Sequence, residues 1–389
     1  MSKIITDEKQ IDKLLSRGVE NIYPSKEEFK KVLLSGKKLS IYSGVDPTAP
    51  TLHIGHGVVF LKLRELQDLG HEVILLLGDF TGRIGDPTDK DSTRKQLTKK
   101  EVKNNLKSYT KQASKILDMK KIKVKFNSKW LAKLTLADIV EITSEFTLQQ
   151  MIERDMFEKR MAAGHPIYLH EFLYPLMQGY DSVAMNVDVE IGGNDQTFNM
   201  LMGRTMMKTR GKEKYVLTTK LLTDPTGKKM GKSEGNMVTL NDKPSEMFNK
   251  IMSWPDTLVP LAFEICTKTT TPNDTSDPKA SKLKLAFEIT KLYHGEEKAT
   301  ASQDNWEKTF SKKEIPEDVE EVVFKKGDLL VDTLVTNKIV SSKSDFRRLI
   351  DGGAISKLET EEKISEVHAK TEGGTYRVGK KRFVKFVEK

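Results

Sequence analysis

The segment Asp46-Pro-Thr-Ala-Pro-Thr-Leu-His-Ile-Gly-His-Gly57 sets two imidazoles and two glycines where a loop gives way to the apolar run Val58-Val59-Phe60-Leu61. The first N–H groups of a helix have no intrahelical partner, and the helix dipole is positive there. Phosphate binds readily at such a point. His53 and His56 would add donors that matter most where negative charge grows, as in displacement at phosphorus. Gly55 would let a flat base lie against the backbone, where a Cβ would collide. Taken alone, the same residues fit two surface histidines at a capped helix.

Two further groups bear on the choice. Lys229-Met-Gly-Lys-Ser233 puts two lysines around a flexible turn, which suits cations that close over a triphosphate; alone it is a lysine-rich surface loop. Tyr174, Gln178 and Asp181 are spaced i, i+4 and i+7, so one helix face carries all three. Phe172, Leu173, Leu176 and Met177 make that helix largely buried, and a buried Gln or Asp needs a partner. Such a polar stripe can grip the ammonium and the polar tip of a small molecule.

The elements that must position these groups are legible in outline. Leu39–Ser43 reads as a strand, 56–69 as a helix closed by Gly70, and Val73–Phe80 as a continuous apolar run typical of a buried parallel strand. Strand, turn, helix and strand make a βαβ unit that opens a doubly wound sheet, whose ligands bind at the carboxyl edge. The Gly-rich Thr81–Pro87 lies at that edge. Val187–Ile191 and Tyr215–Leu222 read as further strands, 165–181 and 199–211 as helices. Residues 5–37 read as short charged helices and 92–150 as lysine-rich helix, with the lysines of 94–125 a solvated face. Residues 244–315 are mostly helical, and the last stretch is a small basic α+β module.

The 389 residues suggest two or three domains, and 37% hydrophobic with 31% charged residues excludes a disordered chain. No apolar run approaches the ~20 residues that cross a bilayer, and the N-terminal segment does not read as a signal peptide. A cytoplasmic location is expected. The lone Cys266 excludes a disulfide framework and a multi-cysteine metal site, and no protein metal site is expected. A net charge of +9 suits a polyanionic partner such as nucleic acid.

The pairing of His53-Ile-Gly-His56 after the first strand with Lys229–Ser233 after a late strand resembles the class I aminoacyl-tRNA synthetases. Gly231 departs from the common Lys-Met-Ser-Lys-Ser, which keeps the loop mobile and removes only a hydroxyl. Tyr42–His56, Gly78–Pro87, His170–Asp181 and Gly192-Gly-Asn-Asp-Gln196 together resemble the bacterial tyrosyl-tRNA synthetases, in the branch with a compact C-terminal module.

The resemblance implies an α/β fold: a Rossmann-like doubly wound parallel sheet over 1–243 with a helical insertion at about 92–165, a helical domain over 244–325 and an S4-like domain over 330–389. It implies that Tyr42 and Asp181 hold the phenol hydroxyl of tyrosine. Asp86, Tyr174 and Gln178 would hold the ammonium, with Gln196 near the carboxylate. Gly44, Asp46, Gly55, Gly192 and Asp195 would line the adenosine site, joined by Met230 and Lys232. Thr48, His53 and His56 would meet the phosphates, and Lys229, Lys232 and Ser233 would complete the catalytic set. ATP is the implied substrate, magnesium arrives with it, and tRNA(Tyr) is the acceptor. A homodimer bridged by one tRNA is also implied.

In the C-terminal module, Ser342–Ala354 is a basic amphipathic helix ending in Gly-Gly, and Gly379–Phe386 a basic strand with interleaved aromatics. Together they resemble an S4 RNA-binding domain with Arg347, Arg348, Lys380, Lys381 and Arg382 as phosphate contacts; Phe346 departs from the small residues common there. Three other readings stay open. A tryptophanyl-tRNA synthetase shares both signatures. A small-metabolite nucleotidyltransferase shares the first but has no use for an RNA-binding tail. A non-catalytic RNA-binding paralogue would turn over no ATP.

Overall fold

A six-stranded sheet is built from β1 (Val19–Tyr23), β2 (Ser40–Val45), β3 (Glu72–Leu77), β4 (Ile122–Phe126), β5 (Val189–Gly193) and β6 (Tyr215–Thr219), in the order β1-β6-β5-β2-β3-β4. The computed structural model describes residues 4–88, 96–152, 155–223, 237–270, 277–310, 319–360, 362–379 and 382–389. All neighbours are parallel except β1 and β6. Val73 to Leu77 are all buried, as expected of a central strand covered by helices on both faces.

The strand order reverses between β2 and β5, and the register opens a crevice there. β2 stays paired with β3 to its end, Val45 opposite Leu77. With β5 it pairs only at Ile41↔Val189 and Tyr42↔Glu190, although β5 runs on to Gly193. The carboxyl ends of β2 and β5 therefore part at the topological switch point, where ligands bind in sheets of this kind. The expected doubly wound α/β architecture is present.

Two strands of this sheet lie where helix is expected from the sequence, and a further strand, Glu320–Phe324, falls inside the expected helical domain 244–325 but pairs in the C-terminal sheet. β1 follows Gly18, whose φ of 65° turns the chain, and runs antiparallel to β6 at the sheet edge. As a half-exposed edge strand it carries no continuous apolar run to mark it. β4 is Ile122-Lys-Val-Lys-Phe126; its alternation is short, and lysines suit an edge strand that must not pair further. The first signature helix spans Ile54–Asp68, with His53 as N-cap and Leu69 as C-cap, and Gly70 follows at φ 95°.

Arg17 ties the N-terminal segment to the helical region. Its guanidinium donates to the carbonyl oxygens of Phe263 (2.8 Å), Glu264 (2.9 Å), Thr267 (3.0 Å) and Lys268 (2.9 Å). These lie in and just beyond the last turn of the helix Val259–Cys266, where carbonyls lack intrahelical donors.

The chain divides into two compact units, Met1–Ala299 and Thr300–Lys389. The second contains a four-stranded sheet of β7 (Glu320–Phe324), β8 (Ile355–Lys357), β9 (Gly374–Val378) and β10 (Arg382–Glu388), ordered β7-β10-β9-β8. Its core joins Leu330, Leu334, Phe346, Ile350, Ile355, Tyr376 and Phe386.

His71 links the signature helix to β2. Its Nδ1 accepts the Leu39 N–H (3.3 Å), and burial, with the charge of Lys38, lowers its pKa from 6.5 to about 4. Burial, with Lys115 and Lys298, does the same to His294. Between those values the unfolded chain binds more protons than the folded one. Stability is thus full above about pH 6.5 and declines as pH falls toward 4. Thermal melts should show that decline, and His71→Gln should flatten part of it; an unaltered slope would deny His71 this contribution.

Candidate functional site

The parted ends of β2 and β5 open into a cleft of about 980 Å³. Its wall includes Tyr42, Gly44, Asp46, Thr48, His53, Gly55, His56, Asp86, Tyr174, Gln178, Asp181, Gly192, Asp195 and Gln196. These are all the candidate tyrosine, adenosine and phosphate residues outside the second signature. Lys229, Met230, Lys232 and Ser233 lie outside the described residues. The segments flanking them, Leu222 on one side and Met237 on the other, line the same cleft.

The helix Leu169–Met185 carries the deep end. Tyr174 and Asp181 are buried on it, at 5% and 2% exposure. The Tyr174 hydroxyl donates to Asp46 Oδ2 (2.8 Å), while Asp46 Oδ1 accepts the Thr81 hydroxyl (2.7 Å). A Cβ at residue 78 would lie 1.9 Å from Asp46 Oδ1, so glycine there lets the carboxylate in. Asp86 accepts the Gln196 amide (2.6 Å) on one oxygen and the Thr88 hydroxyl (2.6 Å) on the other. Tyr42, at the centre of the sheet, shares a hydrogen bond with Ser182 (2.8 Å).

Asp181 is held by groups absent from the sequence reading. Trp130 Nε1 donates to Oδ1 (2.7 Å), and Asn127 Nδ2 to Oδ2 (3.2 Å). Burial drives the Asp181 carboxyl well above the usual carboxylate range, against the pull of these two donors. Burial likewise raises Tyr42 and Tyr174, helped by Glu190 and Asp181 for the first and by Asp46 and Asp86 for the second; both remain phenols at neutral pH. Asn127 and Trp130 follow the edge strand β4 inside a lysine-rich stretch, where no local pattern marks them.

The other end of the cleft is a braced helix N-terminus. His53 N–H donates to His56 Nδ1 (3.2 Å), and the two rings lie 4.0 Å apart between centroids. Tyr109 donates to the Ala49 carbonyl (2.6 Å), Asn105 to Pro47 (2.7 Å) and Gln112 to Pro50 (3.1 Å). The lysine-rich helical segment thus fixes the loop that carries Thr48. From the other side Ile54 N–H donates to Val238 and Leu240 N–H to Leu52, at 3.0 and 2.8 Å. The chain leaving the second signature is therefore bonded to the start of the first. An acidic deep end beside a helix N-terminus with two imidazoles can hold an ammonium and a polyphosphate at once.

The C-terminal unit places Arg347 and Arg348 on the exposed face of the helix Lys343–Asp351, whose inner face is Phe346 and Ile350. Phe346 is fully buried, which accounts for an aromatic beside the arginines. Arg348 pairs with Asp345 (2.6 Å), and the Arg382 guanidinium donates to the Ile339 carbonyl. Gly379 N–H donates to the Ala354 carbonyl (2.7 Å), so the turn leading into β10 borders that helix. Lys380 and Lys381 lie outside the described residues.

A family model described as tRNA synthetases class I (W and Y) matches residues 34–311. The tyrosine–tRNA ligase of Carboxydothermus hydrogenoformans is 43% identical over 401 residues, covering 96% of this chain and 97% of that protein. The tyrosine–tRNA ligase of Thermotoga maritima is 42% identical over 394 residues, covering 97% of each. Among solved structures, a C-terminally truncated Aspergillus nidulans mitochondrial tyrosyl-tRNA synthetase superposes with a TM-score of 0.66 at 26% identity, over 77% of this chain and 94% of that one.

The packing behind the first signature makes a direct test. A Cβ at Gly57 would lie 2.0 Å from the Tyr293 hydroxyl, a buried group without a hydrogen-bond partner among the described residues. Gly57→Ala gains up to ~1 kcal/mol of helix propensity but overpacks by about 1–3 kcal/mol. It should lower the melting temperature, and Tyr293→Phe in the same chain should restore it. A double variant no more stable than Gly57→Ala would show that the hydroxyl is not the obstacle.

Proposed function

The chain belongs to the class I tRNA synthetases and within them to the tyrosine–tRNA ligases, and from that premise we propose how its cleft performs the reaction. It is an aminoacyl-tRNA ligase: it activates L-tyrosine with ATP to tyrosyl-adenylate and pyrophosphate, then transfers tyrosine to the 3′ end of tRNA(Tyr). The observation that carries the residue assignment is the convergence of Tyr174, Gln178 and Asp181 from one helix face with Tyr42 and Asp86 in one cleft.

Asp181 and Tyr42 bind the phenol hydroxyl, and Asp86, Tyr174 and Gln178 the ammonium, with Gln196 beside the carboxylate. Asp46 already joins Tyr174 to Thr81, so it shapes the wall between the amino-acid and adenosine ends, where Gly44, Gly55, Gly192 and Asp195 take the nucleoside. A tyrosine carboxylate oxygen attacks the α-phosphorus of ATP, the bond to the bridging oxygen breaks, and pyrophosphate leaves. Thr48, His53 and His56 meet the charge growing on the phosphates. Lys229 and Lys232 close over the pyrophosphate, with Met230 and Ser233 in the same loop. Magnesium enters as the ATP complex. In the second step the terminal ribose hydroxyl attacks the acyl carbon and AMP leaves. Catalysis is by positioning and charge stabilisation, with no covalent enzyme intermediate.

The second unit docks RNA phosphates through Arg347, Arg348, Lys380, Lys381 and Arg382; the exposed guanidiniums of the helix Lys343–Asp351 support this. A homodimer is supported by large apolar side chains left exposed on neighbouring helices: Leu136 (80%), Val140 (60%), Leu148 (60%) and Leu169 (83%). Among the described residues no helix is long and apolar enough to cross a membrane. We place the protein in the cytoplasm, where its tRNA is.

Tyrosine-dependent exchange of pyrophosphate into ATP tests the reading. Exchange with tyrosine and not with tryptophan or phenylalanine is expected; exchange with tryptophan alone would overturn the pocket assignment, and none from folded protein would leave only RNA binding. A site built to bond a hydroxyl leaves buried polar groups unpaired when the analogue lacking it enters, and enzymes of this class are the standard instance. Asp181→Ala should therefore lose most discrimination against phenylalanine. Selectivity unchanged from the parent, measured as the ratio of kcat/KM values, would remove Asp181 from that role.

A further inference from the structure

Glu190 has no role in the reading above, yet it lines the cleft and is only 2% exposed. It is the second residue of β5, paired across the sheet with Tyr42. One carboxylate oxygen, Oε2, contacts the ammonium of Lys214, which is completely buried and also donates to the Met200 carbonyl (3.1 Å). The other, Oε1, accepts the Gln178 amide nitrogen (3.2 Å). Glycine makes room for this arrangement. A Cβ at Gly203 would lie 2.7 Å from Lys214 Nζ and 2.9 Å from Ser182 Oγ.

A carboxylate beside an ammonium accepts hydrogen bonds and donates none. The amide it faces then has one permitted orientation, NH2 toward Glu190 and carbonyl oxygen away. The reverse would set two acceptor oxygens against each other beside a carboxylate that is almost wholly withdrawn from solvent. Without Glu190 the Gln178 amide could turn either way, and the NH2 end would meet an incoming ammonium with donors on both sides.

We propose that Glu190, held by Lys214, is a positioning residue for Gln178: it fixes the amide so that the carbonyl oxygen faces the ammonium of the amino-acid substrate. This rests on the reading that Gln178 meets that ammonium. Lys214 serves the same end by neutralising Glu190, so that the buried carboxylate is an oriented acceptor without adding a net charge beneath Tyr42, whose ring centre lies 5.7 Å from the ammonium.

The test compares two ligands in the full chain: tyrosine, and 3-(4-hydroxyphenyl)propanoate, which keeps the phenol and carboxylate but lacks the ammonium. Kd is measured for both, and KM and kcat for tyrosine by pyrophosphate exchange. Glu190→Gln should weaken tyrosine roughly ten- to a hundredfold in Kd and KM, the worth of a hydrogen bond to a charged group, with kcat little changed. Glu190 also faces the Tyr42 hydroxyl, so binding of the desamino acid should weaken far less than that of tyrosine, and the excess loss for tyrosine should vanish where Gln178 is already Ala. Glu190→Gln with Lys214→Met leaves no lone buried charge and should show the same ligand-selective loss, which keeps the test usable if the single variant folds poorly. Equal weakening of both ligands, or losses that simply add in the Gln178→Ala background, would overturn the positioning role. Failure of the underlying reading looks different: Gln178→Ala itself would then weaken both ligands alike, and the proposal would fall with it.

Discussion

The deep end of the cleft depends on four carboxylates, Asp181 and Glu190 buried and Asp46 and Asp86 half-buried, and on the donors that hold them. Asp46, Asp86, Asp181 and Glu190 each engage two donor side chains: Thr81 and Tyr174, Thr88 and Gln196, Trp130 and Asn127, Lys214 and Gln178. A buried charge left alone costs far more than a hydrogen bond returns, so Asp181 and Glu190 in particular need these donors. The donors come from the loop after β3, the turn after β4, the helix Leu169–Met185, the segment after β5 and the residue before β6. The insertion and the sheet are therefore joined through the site itself.

Close approach of backbone is the second requirement, and glycine supplies it where the contacts demand. Gly78 admits the Asp46 carboxylate, Gly203 admits the Lys214 ammonium, and Gly57 admits Tyr293 against the signature helix. Each is a steric exclusion of a Cβ. In each case a polar tip reaches a backbone that a larger residue would have held away, so local volume and local electrostatics are set by the same atom.

Charge is divided by task. The deep end of the cleft collects acidic groups that suit an ammonium, while the other end offers a helix N-terminus, two imidazoles and backbone donors. Lysine and arginine in excess overall, at +9, fit a chain whose other substrate is a polyanion. The basic helix of the C-terminal unit keeps its arginines outward because Phe346 and Ile350 occupy its inner face.

The sequence by itself determined the periodic elements and the signatures. The apolar run of β3, the helix that begins at the two histidines and the i, i+4, i+7 stripe of Tyr174, Gln178 and Asp181 are local patterns, and local pattern is what one chain displays. β1 and β4 were lost because a half-exposed edge strand needs no apolar run, and a five-residue alternation among lysines looks like a helix surface. The partners of the site were invisible for a different reason. Asn127 and Trp130 reach Asp181 across more than fifty positions of chain, and nothing local says which acceptor a tryptophan N–H will find. Glu190 carried no signal in the sequence; the close crossing of the helices at Gly179 and Gly203 brings Lys214 to it. Which residues can do chemistry is written in their types and spacing, but which groups hold them in the required state is decided by packing that brings distant segments within hydrogen-bond reach.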